Sequence, residues 1–67
     1  MSMVKVIEVL AQSDKGFDDA ARNAVRIAAK TVRDIKEIYI KDMNGIVENG
    51  EIKLYRITAK ISFLLSE

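Results

Sequence analysis

Sixty-seven residues make a single domain, 1–67, near the small end of what folds alone, since a chain this short hides only about 60% of its unfolded surface. With neither cysteine nor histidine, it is excluded from disulfide frameworks, thiolate or imidazole metal sites, and every histidine-based acid–base or nucleophilic arrangement. A net charge of +1, with 31% charged and 49% apolar residues, excludes disorder and supplies no global field toward nucleic acid or a membrane. Oligomerisation is then the expected source of extra stability. No apolar run approaches the roughly 20 residues of a membrane helix. The opening "MSMVKVIEVL" lacks the basic-then-apolar pattern of a secretory signal, so a soluble cytoplasmic protein is the expectation.

In chain order, "VKVIEVLAQ" (4–12) is β-branched and bounded by the turn-like "SDKG", which predicts a strand. Ile7, Val9 and Ala11 point to one face; Val4, Val6, Glu8 and Leu10 point to the other. Both faces are largely apolar, so cover on both sides is expected. A helix follows from near Phe17, with Gly16 as N-cap, Ser13 as a rival cap, and Asp18 and Asp19 complementing the positive end of its dipole. Phe17, Ala21, Ala24, Ala28, Val32 and Ile35 share one stripe at 100° per residue. Ala20, Val25, Ile27 and Ala29 widen the apolar arc to about 200°, twice what a surface helix usually needs. Arg22, Arg26, Lys30 and Arg33 hold the other side. This basic stripe reads as a solvated face with Asp18–Arg22 and Lys30–Asp34 pairs at i,i+4, because acids interrupt it and no aromatic accompanies it for base stacking.

"EIYIKDMNGIVENGEIKLYRITAKISFLL" predicts a long hairpin turning at Asn49-Gly50, the pair that a two-residue type I′ turn favours. That turn sets Glu48 opposite Glu51, Ile38 opposite Ile61 and Ile40 opposite Ala59. Tyr55, Ile57, Ala59, Ile61 and Phe63 then form a core face, and Arg56, Thr58, Lys60 and Ser62 the other. Nearer the turn the alternation fails: Asn44 would face the core beside Tyr55, while Val47, Ile52 and Leu54 would lie on the polar face. A bulge around Asn44-Gly45 is the expected remedy. The fold class is α+β: one β-α-β-β domain whose three-stranded antiparallel sheet, in order 1-3-2, packs on one helix through a right-handed crossover. The helix flank and the hairpin arm are left needing cover from another chain.

At this point the chain resembles the dodecins. The run from "KVIEVLAQS" through "DDAARNAV" and "AKTVRDI" to "YRITAKISF" carries the likeness in order over nearly the whole length. The resemblance implies a hollow homododecamer with cubic symmetry, so sister subunits would supply the missing cover. It also implies a protein that stores flavin, riboflavin or FMN, without turning it over. Flavin-binding dodecins stack the isoalloxazine ring on a tryptophan at the start of the second strand and hydrogen-bond its edge through a glutamine in the third. Carried over, those positions are Glu37 and Arg56, and Asp42 matches an acidic residue near the ligand.

This chain contains no tryptophan. A charged, flexible Glu37 in place of a flat apolar wall removes stacking worth on the order of 0.5–1.5 kcal/mol beyond area burial. Arg56 still offers donors and a planar guanidinium that stacks. Weak or absent binding of riboflavin and FMN is therefore expected. The alternative is a structural shell that binds no flavin and holds an intersubunit Glu37–Arg56 ion pair or cations such as calcium. Calcium needs six to eight oxygens. Glu8, Asp42, Glu48 and Glu51 form no EF-hand-like loop, so only copies gathered on a symmetry axis could supply a cage, and no metal ligand is assigned within one chain. No catalytic residue is assigned either, for want of histidine, cysteine or a nucleophile motif.

Overall fold

A computed structural model describes residues 2–66. The chain runs β1 (Ser2–Ser13), α1 (Phe17–Ala28), β2 (Ile35–Glu48) and β3 (Glu51–Ser66). The sheet order is β1-β3-β2, and both outer strands run antiparallel to β3. They are therefore parallel to each other and joined by the helical crossover, as the β-α-β-β reading requires. Helix α1 has 12 residues, and among the described residues no helix is long and apolar enough to cross a membrane.

The core lies between α1 and one sheet face. Ala20, Ile57 and Ala59 are its fully buried centre, with Val9, Ala11, Phe17, Ala21, Ile38 and Ile40 packed around them. Alanine on the helix suits this contact twice over. It has the highest helix propensity, and its short side chain lets the helix axis approach the sheet closely enough for Ile57 to be sealed. Each fully buried isoleucine, Ile57 and Ile61, contributes roughly 1.5–3 kcal/mol by removal from water. Phe17 closes the core beside the first helical turn, meeting Tyr55 edge-to-face with ring centroids 5.1 Å apart and planes at 83°.

The turn from β1 into α1 is fixed by Ser13. Gly16 is the N-cap and accepts the first helical hydrogen bond from the Ala20 N–H at 3.0 Å, with no side chain capping it. Ser13 is not a cap. It ends β1, buried, and donates its hydroxyl to Asp19 Oδ2 at 2.6 Å while accepting the Lys15 N–H at 2.9 Å. Asn23 donates to the same carboxylate oxygen at 3.2 Å.

The helix ends earlier than its apolar stripe. It closes at Ala28 with a tightened turn, in which the Lys30 N–H reaches the Ile27 carbonyl and the Thr31 N–H that of Ala28. Two β-branched residues, Thr31 and Val32, follow, and Asp34 then adopts a left-handed conformation at φ 59°. Aspartate tolerates that region better than most residues. Val32 and Ile35 thus leave the helical stripe, and Ile35 opens β2 opposite Phe63. The expected Lys30–Asp34 pair is lost with it, since i,i+4 neighbours exist only within a continuous helix. Asp18–Arg22 does form, at 3.1 Å on an exposed face.

The hairpin turns at Asn49 and Gly50, with φ 53° and 77°, and sets Glu48 opposite Glu51. Its bulges, however, are not at Asn44-Gly45. Register shifts fall between Ile35 and Glu37, between Ile40 and Asp42, and between Ile46 and Val47. The residues left over are Lys36 and Lys41 on β2 and Lys53 on β3. Between the last two shifts Asn44 stands opposite Arg56, and Gly45 opposite Tyr55. Charged bulges on an outer strand also blunt its edge against pairing with another chain.

The chain is elongated, 52 × 19 × 13 Å, with a radius of gyration of 13.7 Å against about 11 Å for a compact chain of this length. The hairpin arm beyond the helix causes this and leaves Val47 63% and Ile52 48% exposed. The sheet face away from the helix is uncovered as well. Val4, Val6 and Leu10, for which cover was expected, are all exposed within the single chain.

Candidate functional site

The uncovered sheet face carries all three residues that the sequence singles out. Pairing across β1, β3 and β2 lays it out in rungs: Val6–Ser62–Glu37, Glu8–Lys60–Tyr39, Leu10–Thr58–Asp42 and Gln12–Arg56–Asn44. Same-face residues on one strand lie about 7 Å apart, so this layout gives distances directly. Asp42 is one rung from Arg56. Glu37 is three rungs away, six residues along β3 and roughly 20 Å off, too far for contact within one chain. The structure thus brings Arg56 and Asp42 together and holds Glu37 apart.

Asp42 reaches this face only through the Lys41 bulge. In the unbroken register set by Ile38–Ile61 and Ile40–Ala59, residue 42 would oppose Ile57 and point at the helix. The extra residue turns Asp42 and Asn44 outward and Met43 inward. Met43 stands 61% exposed because the helix does not extend over it.

Arg56 is half-buried and positioned by a neighbour that sequence reasoning missed. Its Nε and Nη2 donate to Gln12 Oε1 at 3.3 and 3.1 Å. The two residues are 44 positions apart in sequence and meet only because β1 and β3 pair in register with Gln12 opposite Arg56. The one visible signal was a polar residue ending an apolar strand. Holding the guanidinium by one side leaves its remaining N–H donors free for an acceptor on a ligand or another subunit.

Charges on the face alternate: Glu8, Glu37 and Asp42 stand among Lys60 and Arg56. None of these pairs approaches within 4 Å. Among the described residues the ion pair of that length is Asp18–Arg22 on the helix. There the hydrogen bond from Arg22, aided by its charge, holds the Asp18 carboxyl below its ordinary value. Arg26 donates to Asn23 at 2.9 Å, so the basic stripe is engaged along its own helix. Among the described residues no three carboxylates gather where they could hold a metal ion. Glu48 and Glu51 face each other at the arm tip, well away from Asp42 and Glu8.

Two apolar grooves flank the helix. The larger, about 520 Å³, lies against β1 between Ile7, Leu10 and Ile27. The smaller, about 370 Å³, has Ala21, Val25 and Ile38 as its floor and Arg22 and Arg26 at its side. These are the flanks that the 200° apolar arc left over, and Ile27 is 56% exposed in the first.

Comparison with known proteins gives a consistent picture. A family model described as Dodecin matches residues 3–66. The chain is similar to the dodecin of Thermus thermophilus, 27% identical over 63 residues that span 94% of this chain and 91% of the relative. It is similar to the calcium dodecin of Mycobacterium tuberculosis, 32% identical over 63 residues spanning 94% and 89% of the two chains. The solved structure of the dodecin from Streptomyces coelicolor superposes with a TM-score of 0.94 at 32% identity, covering 98% of this chain and 94% of that one.

Proposed function

This chain belongs to the dodecin family, and we propose on that premise that it assembles into a hollow homododecamer that sequesters riboflavin or FMN without turning it over. The outer sheet face supplies the site, with Arg56 and Asp42 on adjacent rungs and Glu37 contributed from a neighbouring subunit. The observation that carries this reading is the open face itself. It presents a positioned guanidinium one rung from exposed Leu10, with Val6 and Val4 continuing the apolar bed along β1, a combination of a polar anchor and an apolar surface that suits a ring ligand. Glu37 in the stacking position weakens the binding. Replacing it should tighten binding of riboflavin by Glu37→Trp at least tenfold, the equivalent of about 1.4 kcal/mol. Quenching of flavin fluorescence on titration measures this, and equal affinity in both chains would refute the placement.

A second reading rests on Glu37 and on the acidic hairpin tip. Glu48 and Glu51 stand directly opposite each other, where like charges are destabilising unless something neutralises them. A shell that gathers several tips or several Glu37 carboxylates would hold calcium, the ion named in the relative from Mycobacterium tuberculosis. Equilibrium dialysis against calcium separates the two. Stoichiometric retention by the assembled chain, abolished by Glu48→Gln with Glu51→Gln or by Glu37→Gln, supports the cation shell.

A further inference from the structure

We propose that Tyr39 is the surface on which the ring of a planar ligand stacks, in place of the missing tryptophan. This rests on the reading that the outer sheet face binds a flavin. The chain has four aromatic side chains. Phe17 and Tyr55 are committed to each other at the edge of the core, and Phe63 is buried. Tyr39 alone is unclaimed, 58% exposed on the same face as Arg56.

Its neighbours fit the role. Tyr39 stands opposite Lys60, one rung beyond Glu37 and one rung before Asp42. Arg56 follows on the next rung, about 14 Å from Tyr39 along the strand. A fused three-ring heteroaromatic is roughly 10 Å long, so a ring stacked on Tyr39 can extend across Asp42 and Thr58 toward Arg56. Its carbonyl-bearing edge would then meet guanidinium donors that Gln12 leaves free. A donor on the same edge would find the Asp42 carboxylate. The ligand class is therefore a planar fused-ring heterocycle with an aromatic body and acceptors concentrated at one end. Burial of an exposed tyrosine against such a ring, with its offset-stacking preference, is the interaction that Glu37 cannot provide.

The probe is riboflavin, with affinity measured by equilibrium dialysis and quenching by fluorescence, in the unmodified chain and in Glu37→Trp. Tyr39→Ala should raise Kd at least tenfold in whichever of these two chains binds, with the assembly unchanged in size. Tyr39→Phe should hold Kd within about threefold, because stacking survives. It should quench less, because the electron-donating phenol is gone. A Tyr39→Ala chain that binds riboflavin as tightly as its parent overturns the assignment and leaves the flavin reading standing. A Tyr39→Ala chain that dissociates while its subunits keep the parent's affinity also overturns it, making Tyr39 a subunit contact. Absence of riboflavin binding in both the unmodified chain and Glu37→Trp removes the flavin reading and the Tyr39 assignment with it.

Discussion

Replacing Val47 and Ile52 together by threonine tests whether the hairpin arm is built for another subunit. The two residues oppose each other near the tip, 63% and 48% exposed in the single chain. Threonine keeps the β-branch and the strand preference, so the arm itself should persist. Complete burial of a valine or isoleucine contributes roughly 1.5–3 kcal/mol, and about half of each side chain is still open, so assembly stands to gain about 1 kcal/mol at each position. The double substitution forfeits about 2 kcal/mol per arm, and a hydroxyl buried without a partner costs about 1–3 kcal/mol more. In a homo-oligomer every subunit would present the same arm, so the loss would recur at each equivalent contact. Sedimentation should show the assembly shifting to small species at micromolar concentration, while circular dichroism keeps the signature of the β-α-β-β protomer. An unchanged oligomer with an unchanged melting temperature would refute the argument, because the arm would then face solvent in the assembly too.

Gly50→Val should cost about 1–3 kcal/mol per chain, read as a lower melting temperature; no atom lies within 4 Å of an added Cβ, so the cost is backbone strain at φ 77° and not a clash. Ser13→Ala should destabilise by about 1–3 kcal/mol in chemical denaturation, since it removes a buried hydroxyl that both donates to Asp19 and accepts from the Lys15 amide. Ile57→Ala should cost about 2–5 kcal/mol, the usual range for emptying a sealed core position. Asp18 is held below its ordinary value by Arg22, so its small contribution is present above pH 3.8 and disappears as pH falls through the lower folded value. Because the pair is exposed, high salt should erase the difference between the parent and Asp18→Asn in acid titrations of stability.

Much of the fold was legible in the sequence because its signals were local. The β-branched run "VKVIEVLAQ" with "SDKG" after it, the Gly16 cap with Asp18 and Asp19 behind it, and Asn49-Gly50 each act over a few residues, and each element formed where its signal lay. The helix end was misplaced because Val32 and Ile35 continue the 100° period by coincidence. What stops the helix is a β-branched pair and a left-handed Asp34, a weaker signal than glycine or proline. The strand bulges were misplaced for a related reason. Gly45 attracts the expectation of a bulge, yet its backbone is regular and an added Cβ would meet Ile52 only at ordinary contact distance, 3.6 Å. Lysine carries no bulge signal, so Lys36, Lys41 and Lys53 were invisible as the residues displaced. Gln12 beside Arg56 needed the β1–β3 register, which no local pattern specifies.

The Lys41 bulge links the fold to the candidate site more tightly than any single side chain on it. Before Lys41, β2 sends Ile38 and Ile40 to the helix and Tyr39 outward; after it, Asp42 and Asn44 point outward and Met43 inward. The same sequence paired without the bulge would place Asp42 opposite Ile57 on the helix side of the sheet, the position that Met43 now holds, and away from Arg56. The same inversion would put Lys41 and Met43 on the outer face with Tyr39, leaving Arg56 with no acid on an adjacent rung. One bulge therefore assembles an aromatic, a carboxylate and a positioned guanidinium along the uncovered face, after Ile38 and Ile40 have packed on the helix. Because the site depends on register, the first half of β2 answers to the helix and the second to whatever lies on the other side of the sheet.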